Sequence, residues 1–287
     1  MGNPIVGVGT VVEDQLNQDL ADLEKSLDAD VMSIMGPIVP GLDERVRKAI
    51  DQIENRRPRL AVVLDTGGGI VEVVERMVGA LRHHYQDVTF VIPGQAMSAG
   101  TVFALSGDAI MMDYFSALGP IDPQVQGRDG KLIPALAYLI QFDRLSAKAA
   151  AGQLTTVELA LAQKLDLGEL QTFAEARELS IELLKRWLVN YKFKDWQLTE
   201  TNKTPVTPAM REARADEIAK ALMNPQRWHS HGRAIPMSVL RDELKLRIDD
   251  FGANAELSKV IHRYVAVLRE FMLFSEVNPF VHTRGFF

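Results

Sequence analysis

Ser98 lies in the run Gly94-Gln95-Ala96-Met97-Ser98-Ala99-Gly100-Thr101, after the apolar stretch 88–92 and ahead of a segment of small residues. A serine at a strand-to-helix junction projects its hydroxyl from a sharp turn, and Ala96, Ala99 and Gly100 let the flanking backbones approach closely. The chemistry such a placement serves is nucleophilic attack, with a base to take the hydroxyl proton and N–H donors to hold the oxyanion. The first turn of the following helix offers N–H groups that have no intrahelical acceptor. The plain alternative is a serine that caps the helix and does no chemistry. Upstream, residues 60–70 read Leu-Ala-Val-Val-Leu-Asp-Thr-Gly-Gly-Gly-Ile, a buried-type strand running into three glycines. Gly67, Gly68 and Gly69 are either ordinary turn residues or backbone donors to an oxyanion beside Ser98. Two strand-to-helix turns of this kind could face one site.

Other chemistries are weaker. The P-loop needs a Gly-Lys-Ser/Thr ending that is absent, and no Gly-x-Gly-x-x-Gly follows a strand. Asp65-Thr66-Gly67 matches the Asp-Thr-Gly of aspartic proteases in one copy only, and a long amphipathic helix follows where those enzymes continue in β structure. With no cysteine, disulfides, thiolate metal sites and cysteine nucleophiles are excluded. A net charge of −6 gives no general attraction to nucleic acid or anionic lipid, so neither is expected as a partner. No stretch has the length and apolarity of a membrane span, the N-terminus lacks a signal-peptide pattern, and Val6 fails the myristoylation pattern. A cytoplasmic location is the expectation.

The elements that must hold these residues follow from periodicity. At 287 residues, 47% hydrophobic and 24% charged, the chain can bury a large core. Strands are predicted at 31–35, 60–64, 88–92 and 109–112, and helices at 43–55, over the stripe Ile70, Val73, Val74, Met77, Val78, Leu81, and from Ala99. Strand and helix alternate, which implies parallel pairing with helices covering the sheet. The Pro/Gly-rich turn 118–123 closes this part. After Gly130 helical patterns dominate, at 134–151, at 173–191 and over a stripe from Leu257 to Met272. Residues 194–208 read as a surface connection. The last residues, with Phe280, Phe286 and Phe287, are read as a frayed terminus in preference to a docking tail. The domain expectation is an α/β core over 1–130 that carries the nucleophile. A mainly helical part over 131–287 packs on it, supplying the base and oligomer contacts.

Taken in order, Asp-Thr-Gly-Gly-Gly-Ile, Gly-Gln-Ala-Met-Ser-Ala-Gly, Ser-Gly-Asp-Ala-Ile-Met-Met and Leu-Gly-Pro-Ile-Asp-Pro-Gln resemble the Clp/crotonase-fold serine peptidases. Within them the chain is most similar to the signal-peptide-peptidase-A-like branch that includes the serine dehydrogenase proteinases. The likeness covers about residues 31–124. It implies a Clp/crotonase-type α/β fold, with a repeated ββα-like core, a parallel sheet and a helical C-terminal part. It also implies Ser98 as nucleophile, an oxyanion hole of backbone N–H groups from Gly68 or Gly69 and from Ala99, and a ring-like or other homo-oligomer.

The base departs from that pattern. Where Clp proteases carry a histidine this chain has Asp122, and where they carry the later aspartate it has His231, ahead of a helix. A triad needs a base that bonds the hydroxyl and a carboxylate that orients the base, in any chain order. The expectation is therefore Ser98, His231 and Asp122, with His229 as rival base; the bland reading makes the histidines loop residues and Asp122 an Asx turn. Signal-peptide-peptidase-A-like enzymes use a lysine instead, for which Lys148, Lys131 and Lys164 are available. The expected activity is hydrolysis of peptides or unfolded polypeptide through an acyl-enzyme, with no metal or organic cofactor required. Enolate-stabilising acyl-CoA chemistry on the same fold, or an inactive scaffold lacking a working base, are the competing readings. An unfoldase partner is not readable from the sequence.

Overall fold

The computed structural model describes residues 8–121, 124–126 and 132–287. The chain runs α1 (Val8–Leu27), β1 (Asp30–Met35), α2 (Leu42–Asp51), β2 (Arg59–Asp65), α3 (Val71–His84), β3 (Asp87–Val91), β4 (Gln95–Ala96), α4 (Ala99–Ala104), β5 (Ala109–Met112) and β6 (Ala117–Leu118). A hairpin of β7 (Gln124–Gln126) and β8 (Leu132–Pro134) leads into α5 (Ala135–Ala150), α6 (Thr156–Ala162) and α7 (Leu167–Trp187). Then come α8 (Pro208–Leu222), α9 (Pro225–Trp228), β9 (Ile235–Pro236), α10 (Met237–Asp242), β10 (Asp249–Asp250), α11 (Ala255–Ser275) and β11 (Phe280–His282).

Alternation along the central strands explains the layers. Met32 and Ile34 of β1, with Leu60, Val62 and Leu64 of β2, face a core shared with α2, α3, α4, α7 and α8. Val31, Met35, Ala61 and Val63 point the other way, into a core with α1 and α11. A sheet buried on both faces needs apolar side chains at odd and even positions alike, which is how these strands read. The main sheet has the order β10-β5-β3-β2-β1-β11, parallel throughout except where β11 runs against β1. A smaller sheet of order β4-β6-β9 stands beside it, with β4 parallel to β6 and β9 antiparallel. Mixed α/β architecture with a mainly parallel sheet and a helical C-terminal part is thus what the sequence implied.

Three features differ from the sequence reading. Helix α1 was not predicted; Leu16, Leu20 and Leu23 are nonetheless fully buried against the second face. Strands β9, β10 and β11 return to the sheets from a stretch in which only helices were expected. The C-terminus is docked rather than frayed: Ser33 pairs with His282, Ile34 with Val281 and Met35 with Phe280. Arg284 then seals the tail with Nη1 bonds to Glu24 Oε1 (2.6 Å) and Asp30 Oδ1 (2.7 Å). The stripe on α11 that seemed available for oligomer contacts is spent in this core, because Ile261, Tyr264, Val265 and Leu268 are buried within the chain.

His282 is fully buried in that second face. Its Nε2 lies 3.2 Å from Asn17 Oδ1 and its Nδ1 lies 2.8 Å from the Tyr264 hydroxyl, which is also 2.9 Å from Ser33 Oγ. A carbonyl oxygen only accepts, so Nε2 carries the proton and Nδ1 accepts from Tyr264. Burial pushes the imidazole pKa down to about 4. Because the unfolded ring titrates near 6.5, the stability held by the neutral ring is complete above that pH and is lost as pH falls to about 4, by about 3 kcal/mol. The stability advantage of the native protein over a His282→Gln variant in urea unfolding should shrink by that amount between pH 7 and pH 4. A His282 ring that titrates near 6.5 in the folded protein by NMR would contradict the assignment.

Candidate active site

Ser98 occupies the turn between β4 and α4 with φ 53 and ψ −118. Such a conformation costs an L-residue about 1–3 kcal/mol and persists only where the surroundings impose it. Here they do. The Met97 N–H donates to Thr66 O (3.0 Å), the Gly100 N–H to Met97 O (2.8 Å), and the Thr101 N–H to Ser98 O (2.9 Å). Thr101 Oγ1 sits between the Ala96 carbonyl (2.7 Å) and the Gly119 N–H (2.9 Å), pinning α4 to both neighbouring strands. Ser98 stands at the N-cap position, yet its side chain makes no capping hydrogen bond. A capping serine has extended backbone; Ser98, with its positive φ, does not.

The glycine turn leans on the serine turn. At Gly68, φ is +97, and a Cβ there would come within 2.6 Å of Met97 O and 2.9 Å of Ser98 Cβ. Both the backbone angle and the close approach require glycine. Thr66 anchors this segment, its Oγ1 accepting the Gly68 N–H at 3.0 Å. On the far flank Ile38 donates its N–H to Gly68 O (2.9 Å) and accepts from the Ile70 N–H (3.0 Å). The Gly69 N–H is not used in this bridge to Ile38. Among the described residues, neither the Gly69 N–H nor the Ala99 N–H donates to any acceptor.

The expected bases are placed very differently. Strand β9 pairs with β6 through Leu118 and Ile235, and β6 with β4 through Ala96 and Leu118. Strand β6 thus lies between β4 and β9, and the loop before β9 carries half-buried His231. His229 is exposed and closes α9 in a left-handed conformation, its N–H donating to Pro225 O at 2.8 Å. Asp122 and Lys131 lie outside the described residues. Lys148, on α5, forms an ion pair with Glu158 of α6, whose carboxyl is held down at about 2 by that ammonium first and by the Thr155 capping box. These helices belong to a separate small cluster built on Ala135, Leu139, Leu170 and Phe173. Lys164 is exposed. Burial lowers the pKa of one other lysine, Lys192, to about 8, but its Nζ lies 3.5 Å from Asp108 O, at the entry to β5 and the opposite end of the sheet from Ser98.

A groove of about 1020 Å³ opens on the other side of the glycine turn. Met35, Ile38 and Val39 give it an apolar wall, and Asp65, Glu72 and Arg269 supply its charges. Arg269 of α11 pairs with Asp65. The sequence reading missed both Thr66 as anchor and Arg269. A threonine before three glycines is a local signal for the first; an arginine some two hundred residues from its partner gives none for the second.

A three-layer α/β chain with a strained serine beside a glycine turn has the arrangement of hydrolases that attack carbonyl groups with a hydroxyl. The model of the ClpP-like SDH-type serine proteinases matches residues 36–185, over half of the chain, and the chain belongs to that family. Two uncharacterised proteins of Methanocaldococcus jannaschii are similar to it. One is 31% identical over 160 residues, 52% of this chain and 53% of its own length; the other is 32% identical over 116 residues, 40% and 38% respectively. The chain thus spans about half, or less, of the curated relatives it matches. Among solved structures it is similar to a serine-to-alanine mutant of the 1510-N membrane-bound stomatin-specific protease, at TM-score 0.46 and 13% identity over 80% of this chain and 82% of that one. A lysine-to-alanine mutant of that protease in complex with a substrate peptide matches at TM-score 0.32 and 22% identity, over 38% and 55%. No described helix is long and apolar enough to cross a membrane.

Gly68→Ala tests the contact between the two turns. The added methyl should cost about 1–3 kcal/mol of stability and slow covalent labelling of Ser98 by a fluorophosphonate at least about tenfold, since Met97 and Ser98 must move. Labelling at the native rate would show that the turns do not depend on each other.

Proposed function

We propose that this chain hydrolyses peptides or unfolded polypeptide through an acyl-enzyme, with Ser98 as nucleophile. The observation that carries the reading is the backbone of Ser98, held in an unfavourable conformation against the glycine turn without serving as a cap. Ser98 Oγ adds to the scissile carbonyl as its proton passes to the base. The carbonyl oxygen, now an anion, accepts from the Gly69 and Ala99 N–H groups. Gly69 is preferred to Gly68 because the Gly68 N–H is engaged by Thr66. Collapse expels the amine, which takes the proton from the base, and water then enters by the reverse route to release the acid.

His231 is the base of this proposal, supported by its place shortly before β9, a strand of the same small sheet as β4, which leads into Ser98. Asp122 is the carboxylate assigned to orient it. Lys148 is less suited, because its ammonium is already paired with Glu158, and His229 is exposed. Self-association belongs to the same reading. One exposed apolar surface that suits it is helix α6, which buries none of its residues and exposes Val157 and Leu161, together with nearby Leu167. Light scattering that finds only monomer at micromolar concentration would remove that part.

Mass spectrometry of the protein treated with a fluorophosphonate should locate one adduct, on Ser98. Ser98→Ala should abolish it, and His231→Ala should slow it by about two orders of magnitude or more, the scale of general-base catalysis. Full labelling of His231→Ala with loss in Lys148→Ala would transfer the base role to the lysine. A native protein that takes no adduct would refute the peptidase reading.

A further inference from the structure

The Asp65-Thr66-Gly67 motif has so far supplied only Thr66 and a glycine to the site, while Asp65 and its partner Arg269 have no step in the reaction. Asp65 is the last residue of β2, and its side chain is largely buried, 14% exposed. One carboxylate oxygen, Oδ2, pairs with Arg269 Nη2, and the other lies 3.4 Å from the Gln95 N–H at the start of β4. Arg269 reaches this point from α11, on the second face of the sheet. The pair crosses the chain at Gly94, where a Cβ would stand 2.8 Å from Arg269 Nη2 and 3.0 Å from Asp65 Oδ2. A side chain at residue 94 would therefore occupy the space the ion pair needs.

These contacts span the two backbone segments whose spacing sets the reaction geometry. β2 continues through Thr66 into the glycine turn, and β4 continues through Met97 into Ser98. They meet only briefly, the Thr66 N–H donating to Gln95 O (2.9 Å) and the Met97 N–H to Thr66 O (3.0 Å). Two hydrogen bonds leave a short bridge free to shear, and an error of about 1 Å between nucleophile and oxyanion donors costs on the order of a hundredfold in rate. From this placement we propose that Arg269 is a positioning residue: by clamping Asp65 across Gly94 it fixes the glycine turn against the serine turn. The inference rests on Ser98 being the nucleophile.

The rate of fluorophosphonate labelling separates the two. With purified full-length protein, the maximal inactivation rate and the half-saturating probe concentration are measured for the native chain and for Arg269→Ala, Arg269→Lys, Gly94→Ala and Arg263→Ala. Arg263 is a control on the same helix, pairing with Asp19 and Asp22 of α1. The expected result is a fall of about tenfold or more in the maximal rate for Arg269→Ala and Gly94→Ala, with the half-saturating concentration unchanged within about twofold and partial recovery in Arg269→Lys. Arg263→Ala should label at the native rate per folded molecule, whatever stability it loses. Should Arg269→Ala and Gly94→Ala both keep the native rate, or should the half-saturating concentration alone rise, the positioning role is wrong while the nucleophile stands. Absence of labelling in the native chain would instead remove the reading on which the inference rests.

Discussion

Two hydrogen bonds between Thr66 and the segment 95–97 hold the rest of the site in place. Residues 63 and 91 are still partners in the main sheet. Beyond them Pro93 and Gly94 turn the chain out of the sheet, so that β4 pairs with β6 and bridges back to the β2 segment at Thr66. The serine turn therefore belongs to the small sheet and the glycine turn to the large one. An isolated bridge, the close contact of Gly68 with Met97 and Ser98, and the Asp65 contact with the Gln95 N–H join them. Strain at Ser98 is sustainable because neighbours on several sides fix it: the bridge to Thr66, the Thr101 hydroxyl, and the glycine turn itself.

The small sheet also explains how distant sequence reaches the site. β6 and β9 are two-residue strands, too short to show a period, yet their pairing ties residues 235–236 into the small sheet that also holds β4, more than a hundred residues earlier. The same shortness hid β10 and β11. By contrast β1, β2, β3 and β5 were legible as mainly apolar runs, and β1 and β2 are buried on both faces. The helix stripes of α3 and α11 were equally plain. What periodicity could not reveal was the destination of a stripe. That of α11 reads equally well as a subunit contact or as core, and only the missed helix α1, lying across it, decides for core.

Among the candidate site residues, legibility followed how local each role is. The serine and glycine turns are written in consecutive residues, because a left-handed angle and a close backbone approach each demand a particular residue type. Histidines in a loop carry no such mark: His229 closes α9 exposed and left-handed, while His231 is half-buried. Lys148, attractive between alanines, turned out to sit in a capped helical pair with its own counter-ion.

Buried polar groups of β1 account for the docked terminus. Asp30, fully buried at the head of β1, accepts from the Tyr85 hydroxyl (3.0 Å), the Arg57 N–H (3.0 Å) and Arg284 (2.7 Å). A buried carboxylate without a cation is costly, so the arginine near the chain end is drawn to it and brings β11 onto β1. That addition covers what would otherwise be an open edge of the main sheet with a full row of unpaired backbone groups. It also anchors the far end of α11, the helix that carries Arg269 to Asp65. The polar contacts that dock the C-terminus thus bear on α11 and, through Arg269, on β2, whose continuation forms the glycine turn.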